Sequence, residues 1–326
     1  MAERTGAPGW RELPPAAGAY VMATGIVSIG LHLTGFEVLS VVALVLAAVV
    51  WVLLGIDFVT RLLRERSRWE SEAGTPPGLT GVAATTVLGT RVALLGWDFV
   101  AAGALVLAAL WWPVLLFAVM RRWTRSMPGS EFLVCVATQG SAVLAATLAA
   151  ETGTAWLVWV ALGGFCSGVM LYLVALTHFD LQQIWRGAGD QWVCTGALAI
   201  SALAAAKILA AHRLSGSMHT GLLVILWALL ACNWALYIVL ALAEIARPRP
   251  DYDIRRWATV FPLGMTAVAT LTAGTVTGVG ALGTAGRVLL VIAIAVWLIT
   301  LVKAVASADL GGRIRAARGG RLGLRH

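Results

Sequence analysis

The side chains able to do chemistry in this chain are few, and they recur in one setting. Five apolar segments bring a glycine close to polar groups: Val21-Met22-Ala23-Thr24-Gly25, Thr85-Thr86-Val87-Leu88-Gly89, Val136-Ala137-Thr138-Gln139-Gly140, Trp192-Val193-Cys194-Thr195-Gly196 and Val260-Phe261-Pro262-Leu263-Gly264. Within and beside them, Thr24, Thr86, Thr90, Gln139, Thr195 and Thr266 are uncharged donors. One cation lies near, Arg91, two residues past Gly89 and so about 3 Å further along a helix axis. None of the five segments holds Asp or Glu. Donors and a guanidinium without carboxylates suit an anion. A guanidinium meets a carboxylate in two-point contact, and the acidic ring that would attract cations is missing. Each feature also has a plain structural reading. A helical threonine bonds to the carbonyl one turn back. Arg91 either snorkels outward or pairs with Asp98. Glycine lets helices pack closely.

The elements that position these groups are set by composition. Of 326 residues, 60% are apolar and 12% charged, against about 25% charged in soluble domains. A soluble enzyme and a disordered chain are both excluded, and the apolar residues must face lipid. At about 20 residues per crossing, ten spans fit: 16–33, 37–62, 80–96, 99–120, 132–150, 155–178, 191–211, 219–245, 256–278 and 285–306. The expected fold is all-α and integral to the membrane. A short N-terminus (1–15) and a basic tail (307–326) flank the spanning domain (16–306).

Charge sets the orientation. The net charge is +8, but the basic residues cluster between apolar runs, which speaks for topology and against nucleic acid. Of the 24 Lys and Arg, only Arg91, Lys207, Arg213 and Arg287 fall on the side of the short connections. The other side is cytoplasmic by the positive-inside rule, so both termini are inside. The architecture is then five hairpins with tight outward turns, in a bacterial plasma membrane. Tryptophans at span ends, such as Trp69, Trp97, Trp123 and Trp257, fit headgroup anchors. Asp57 and Arg61, four apart, read as an interfacial pair. The outward Arg91, Lys207 and Arg287 would concentrate anions.

The glycines Gly25, Gly89, Gly140, Gly196 and Gly264 are 64, 51, 56 and 68 residues apart, about one hairpin each. Internal repeats in transporters mark a site at the repeat interface. Odd spans carry mid-span polar groups, and even spans are nearly pure hydrocarbon. The odd spans are therefore expected to form an inner ring around a conduit, with the even spans outside. Glycines would let the inner helices bend, and Pro262 would break the ninth helix.

Three segments resemble a known family: Pro15-Ala16 with Tyr20 to Ile26, Gln191-Trp192 with Thr195 to Ile200, and Trp257-Ala258-Thr259-Val260-Phe261-Pro262-Leu263-Gly264-Met265. Together they are similar to the tellurite-resistance/dicarboxylate transporters, which include TehA proteins, malic-acid permeases, sulfite exporters and plant slow anion channels. The resemblance covers essentially all ten spans. It implies five inner and five outer helices around a pore, and a homotrimer. It also implies that Phe261 plugs the pore; the alternative from the residues alone is that Phe261 packs between helices.

The expected activity is passive anion flux, by channel or uniporter. Candidate cargoes are chloride, nitrate or carboxylates such as malate. No metal or organic cofactor is expected, and the expected partners are small anions and membrane lipids. The rival on the same fold is proton-coupled dicarboxylate, sulfite or tellurite transport, which the absence of mid-span carboxylates weakens. His32 and His178 lie at span ends. An integral-membrane enzyme has only a lone Asp251-x-Asp253 in its favour. The four cysteines lack paired spacing, which points to neither disulfide nor metal site.

Overall fold

The computed structural model describes residues 17–249 and 252–322. The expected N-terminal segment 1–15, the Pro15-Ala16 part of the family-like motif and Asp251 lie outside the described residues. Ten long helices follow one another: α1 (Gly18–Leu33), α2 (Glu37–Arg64), α3 (Thr80–Ala93), α4 (Asp98–Met120), α5 (Leu133–Thr152), α6 (Trp156–His178), α7 (Val193–Ala210), α8 (Gly216–Ala246), α9 (Trp257–Thr277) and α10 (Gly280–Leu322). No strand is present among the described residues. In lipid every backbone N–H and C=O must find a partner within the protein, and a helix satisfies them internally. Eight elements are long and apolar enough to cross a membrane. Gly18–Leu33 is apolar but shorter, and Thr80–Ala93 has 14 residues.

The bounds follow the sequence expectation closely except at the last helix. Helix α10 starts five residues earlier than expected and runs on to Leu322. Ala, Leu and Arg in the tail favour helix, and no proline stops it. The segment expected as an open loop after α2 holds a short helix, Arg66–Ala73.

Glycines recur where the long helices join. Each junction of an odd helix with the next even one has a glycine at positive φ: Gly35, Gly96, Gly153 and Gly278 in the turns, and Gly216 at the first position of α8. At Gly153 and Gly278 this left-handed residue follows directly on the last helical residue, where Cβ would be strained. On the opposite side, α3, α5, α7 and α9 are each entered through a 3-10 turn.

The two kinds of helix differ in what surrounds them. In α5, α7 and α9, about nine-tenths of the apolar stretch is buried; in α2, α4, α8 and α10 the share is 17–22%. Helix α1 packs on α3, α3 on α5, α5 on α7, α7 on α9, and α9 back on α1. Each even helix packs chiefly on its own hairpin partner. The exposed faces of the even helices are leucine, valine, isoleucine and phenylalanine, the surface that lipid solvates. The chain is a multi-pass membrane protein.

Candidate functional site

All five odd helices meet at one small void. It has a volume of about 10 Å³ and is lined by Ile26 and Ile29 of α1, Thr86, Val87 and Thr90 of α3, Gly140 and Val143 of α5, Ile200 and Leu203 of α7, and Met265 of α9. A cavity of that size accepts about one water, far less than an anion with its shell. Phe261 is not in the lining; it is fully buried one turn before Met265, toward the start of α9. A Cβ on Gly196 of α7 would lie 2.8 Å from Pro262 Cγ and 3.4 Å from Phe261 Cε1. The phenyl ring therefore sits at the α7–α9 seam, held where only a glycine fits.

The other central glycines serve the same close approach. A Cβ at Gly25 would meet Val87 Cγ1 at 2.8 Å, at Gly89 would meet Leu144 Cδ2 at 2.8 Å, and at Gly264 would meet Ile26 Cγ2 at 2.8 Å. Gly140 lies against Thr86. A closed ring gives every inner helix two inner neighbours, so one close-approach point per helix follows from closure. Each of the five glycines lies at such a close approach. Helix α9 is also assigned without interruption through Pro262, where a break was expected. Proline removes one helical N–H, and at the sixth position of α9 only the Ala258 carbonyl loses its donor.

The polar side chains divide by the direction they face. Thr86 and Thr90 line the void. Thr24, Gln139, Thr195 and Thr266 are turned to the outer helices instead. Thr24 Oγ1 accepts the Trp297 indole N–H at 3.0 Å. Gln139 Nε2 donates to the Phe165 carbonyl at 3.1 Å, and its amide fills the space left by Gly168. Thr195 Oγ1 donates to Asn233 Oδ1 at 2.7 Å, and Asn233 Nδ2 donates to Thr266 Oγ1 at 3.3 Å. These bonds tie the outer helices to the ring.

A repeated bond accompanies them. Trp51 of α2 donates to Thr85 of α3 at 2.9 Å, Trp112 of α4 to Thr138 of α5 at 2.7 Å, and Trp234 of α8 to Thr270 of α9 at 3.1 Å. Trp297 of α10 closes the circle on α1. Each outer helix thus clamps the first helix of the following hairpin, with α6 the exception. Sequence reading missed Asn233 and these four indoles. The signal was there: a mid-span asparagine is costly in lipid, and mid-span tryptophan is not a headgroup anchor.

Arg91 is fully buried, but it points away from the void. Its guanidinium pairs with Glu37 at the start of α2, and Nε donates to Ser40 Oγ at 2.9 Å. Ser40 and Ser28 exchange hydroxyl-to-carbonyl bonds at 2.7 Å, and His32 Nδ1 lies 2.6 Å from Glu37 Oε2. The partner of Arg91 is thus Glu37, not Asp98, and the pair is electrically balanced. A positive outer mouth built on Arg91 loses its deepest member to this pairing. Lys207 is part-buried in the last turn of α7, and Arg287 is exposed in α10; neither lines the void. Asp57 and Arg61 pair at 2.6 Å as expected.

On the opposite side, Asp253 caps the turn before α9 by accepting the Arg255 backbone N–H at 2.8 Å. The Arg255 side chain holds its carboxyl below the ordinary carboxylate range. That assigns Asp253 to building the turn rather than to a metal-binding pair. Among the described residues no three His, Cys, Asp or Glu gather as a metal would require.

A comparison with curated protein sequences returns no match. The family comparison does, and over most of the chain: residues 12–305 match the voltage-dependent anion channel family, SLAC1. The match covers all ten helices up to the final turns of α10, together with the ring and its seam at Phe261, and the chain belongs to that family.

Proposed function

We propose that this protein is an anion channel or uniporter whose pathway follows the axis shared by α1, α3, α5, α7 and α9, with ten spans in all. The observation that carries this reading is the axial void. All five inner helices contribute to it, no carboxylate lines it, and its volume is about 10 Å³, with Met265 of its lining one helical turn from the buried Phe261. Apolar side chains at such a pinch exclude ions by dewetting. Opening then requires Phe261 to leave the α7–α9 seam; the Thr86 and Thr90 hydroxyls, which donate to the Ala83 and Thr86 carbonyls at 2.9 and 2.8 Å, meet a passing anion only by turning from those bonds. Chloride, nitrate and small carboxylates fit this uncharged lining alike. Selection against cations comes from the absence of acidic groups on the axis, and no cofactor takes part. We read both termini as cytoplasmic in a bacterial plasma membrane, and the assembly as a homotrimer, as the family resemblance implies.

The test is flux in proteoliposomes with a panel of anions. Phe261→Ala is expected to raise chloride flux by on the order of tenfold or more; unchanged flux rejects the gate.

One observation favours proton coupling as the second reading. Glu131, at the turn entering α5, is 4% exposed, and its Oε2 has no hydrogen-bond partner among the described residues. A carboxyl so placed offers a proton-carrying group at the inner end of the ring. Under this reading an inward pH gradient drives uphill uptake and Glu131→Gln abolishes it. Under the channel reading flux follows voltage and anion gradient only.

A further inference from the structure

One amide bridges the α7–α9 seam from outside the ring. Asn233 lies near the middle of α8. Only 22% of that helix's apolar stretch is buried, yet Asn233 itself is fully buried. Its side chain reaches both inner neighbours of α8. The Thr195 hydroxyl of α7 donates to Asn233 Oδ1 at 2.7 Å and lies 3.2 Å from the Asn233 main-chain carbonyl. Asn233 Nδ2 donates to Thr266 Oγ1 of α9 at 3.3 Å. The two threonines flank the closure. Thr195 precedes Gly196, against which Phe261 and Pro262 lie. Thr266 follows Phe261 by less than two turns of α9. The indoles of Trp51, Trp112 and Trp297 each bond to one inner helix. Ser40 of α2 also reaches two, Ser28 of α1 and Arg91 of α3, but that seam closes on Gly25 and Val87 rather than on an aromatic ring.

We infer that Asn233 is a positioning residue for the closure at Phe261: its amide holds α7 and α9 at the spacing that seats the phenyl ring against Gly196. Hydrocarbon contact is non-directional, whereas a hydrogen bond has a set length and direction. The amide therefore fixes a spacing that packing only favours. Helix α8 packs chiefly on α7, its hairpin partner, and touches α9 at few places. When α9 moves to release the ring, the bond to Thr266 is the one that parts. Asn233 is not in the lining of the axial void and acts through the two helices. The inference rests on the reading of Phe261 as the gate.

The test is chloride flux in proteoliposomes for Asn233→Leu, made in the wild-type and in the Phe261→Ala background. Leucine is branched at Cγ like asparagine and removes both side-chain bonds. Two interhelical bonds of ordinary strength in a membrane correspond to a shift of about eightfold in a closed-to-open equilibrium. Asn233→Leu is expected to raise flux by about that factor in the wild-type background, and by less than about twofold once Phe261 is Ala, because no ring remains to be seated. Thr266→Val keeps the side-chain shape, cuts only the α9 bond and should raise flux about threefold; it decides the matter alone should Asn233→Leu fail to fold. Asn233→Gln, which retains an amide, should give a flux below that of Asn233→Leu. Trp112→Phe, which deletes an outer bond at α5, should leave flux unchanged. Wild-type flux in both Asn233→Leu and Thr266→Val, with Phe261→Ala raised, leaves the gate standing and overturns the role of Asn233. An equal rise from Asn233→Leu in both backgrounds also overturns it, since the amide then acts elsewhere than on the ring. If Phe261→Ala leaves flux unchanged, the gate and the positioning role fall together.

Discussion

The Phe261 seam and the Arg91 cluster lie on inner helices and are both fully buried, yet they belong to different parts of the molecule. Phe261 lies against Gly196 of α7, at the α7–α9 seam. Arg91 faces α2, outside the ring, and is held by a carboxylate and a hydroxyl. One residue separates Arg91 from Thr90, which lines the axial void. That single step turns a side chain by about 100° around a helix of 3.6 residues per turn. The difference teaches that depth in the membrane does not make a charge part of a pathway. The buried Arg91 fastens two helices together, and the lining of the axial void is uncharged.

This contrast can be broken experimentally. The largest effect beyond the gate variant is expected at Glu37. Glu37→Gln leaves the Arg91 guanidinium buried without its counter-charge, and the melting temperature in detergent should fall by several degrees. Arg91→Leu removes the buried charge and leaves Glu37, half exposed, to water; it should be the milder of the two. The reverse order would place Arg91 in a solvated pathway. A related outcome concerns selectivity. Arg91→Leu should change chloride and malate flux by the same factor, since the residue acts through the fold. A selective loss of malate flux would restore it as an anion ligand.

Next in size is Gly196→Val. The added methyl groups must displace Pro262 and Phe261, an overpacking worth about 1–3 kcal/mol. Thermal unfolding should register that loss together with a raised basal leak. A variant as stable and as tight as wild type would show that the seam is not closely packed. The smallest effect is expected from Trp112→Phe, which deletes one indole bond to Thr138. An interhelical bond in a membrane is worth about 0.6 kcal/mol, and flux should stay unchanged because the bond lies outside the ring.

Much of this arrangement was legible in the sequence, for identifiable reasons. Helix ends were legible because lipid demands long apolar runs and because charge and glycine mark the turns, as at Gly153 and Gly278. The fivefold spacing of Gly25, Gly89, Gly140, Gly196 and Gly264 was legible because a closed ring needs a close approach at each member. Rotation about the helix axis was not legible for helices that are apolar all round. Without an amphipathic stripe nothing in the local sequence distinguishes the Thr86 side of α3 from the Arg91 side. The bonds of Thr24, Gln139, Thr195 and Thr266 to outer helices escaped for the same reason. Glu37 was overlooked as the partner of Arg91 because the two are 54 positions apart in sequence, whereas Asp98 is close in the chain. Asn233 was readable as an exception within α8, since a mid-span amide requires partners, and Thr195 and Thr266 are those partners.

The central claim is that anions, and not cations, cross along the axis that Phe261 closes. The most direct measurement is the reversal potential of Phe261→Ala in a planar bilayer separating two concentrations of potassium chloride. A reversal close to the chloride equilibrium potential is predicted, with a conductance well above that of wild type. A reversal close to the potassium equilibrium potential, or a conductance no larger than that of wild type, would contradict it.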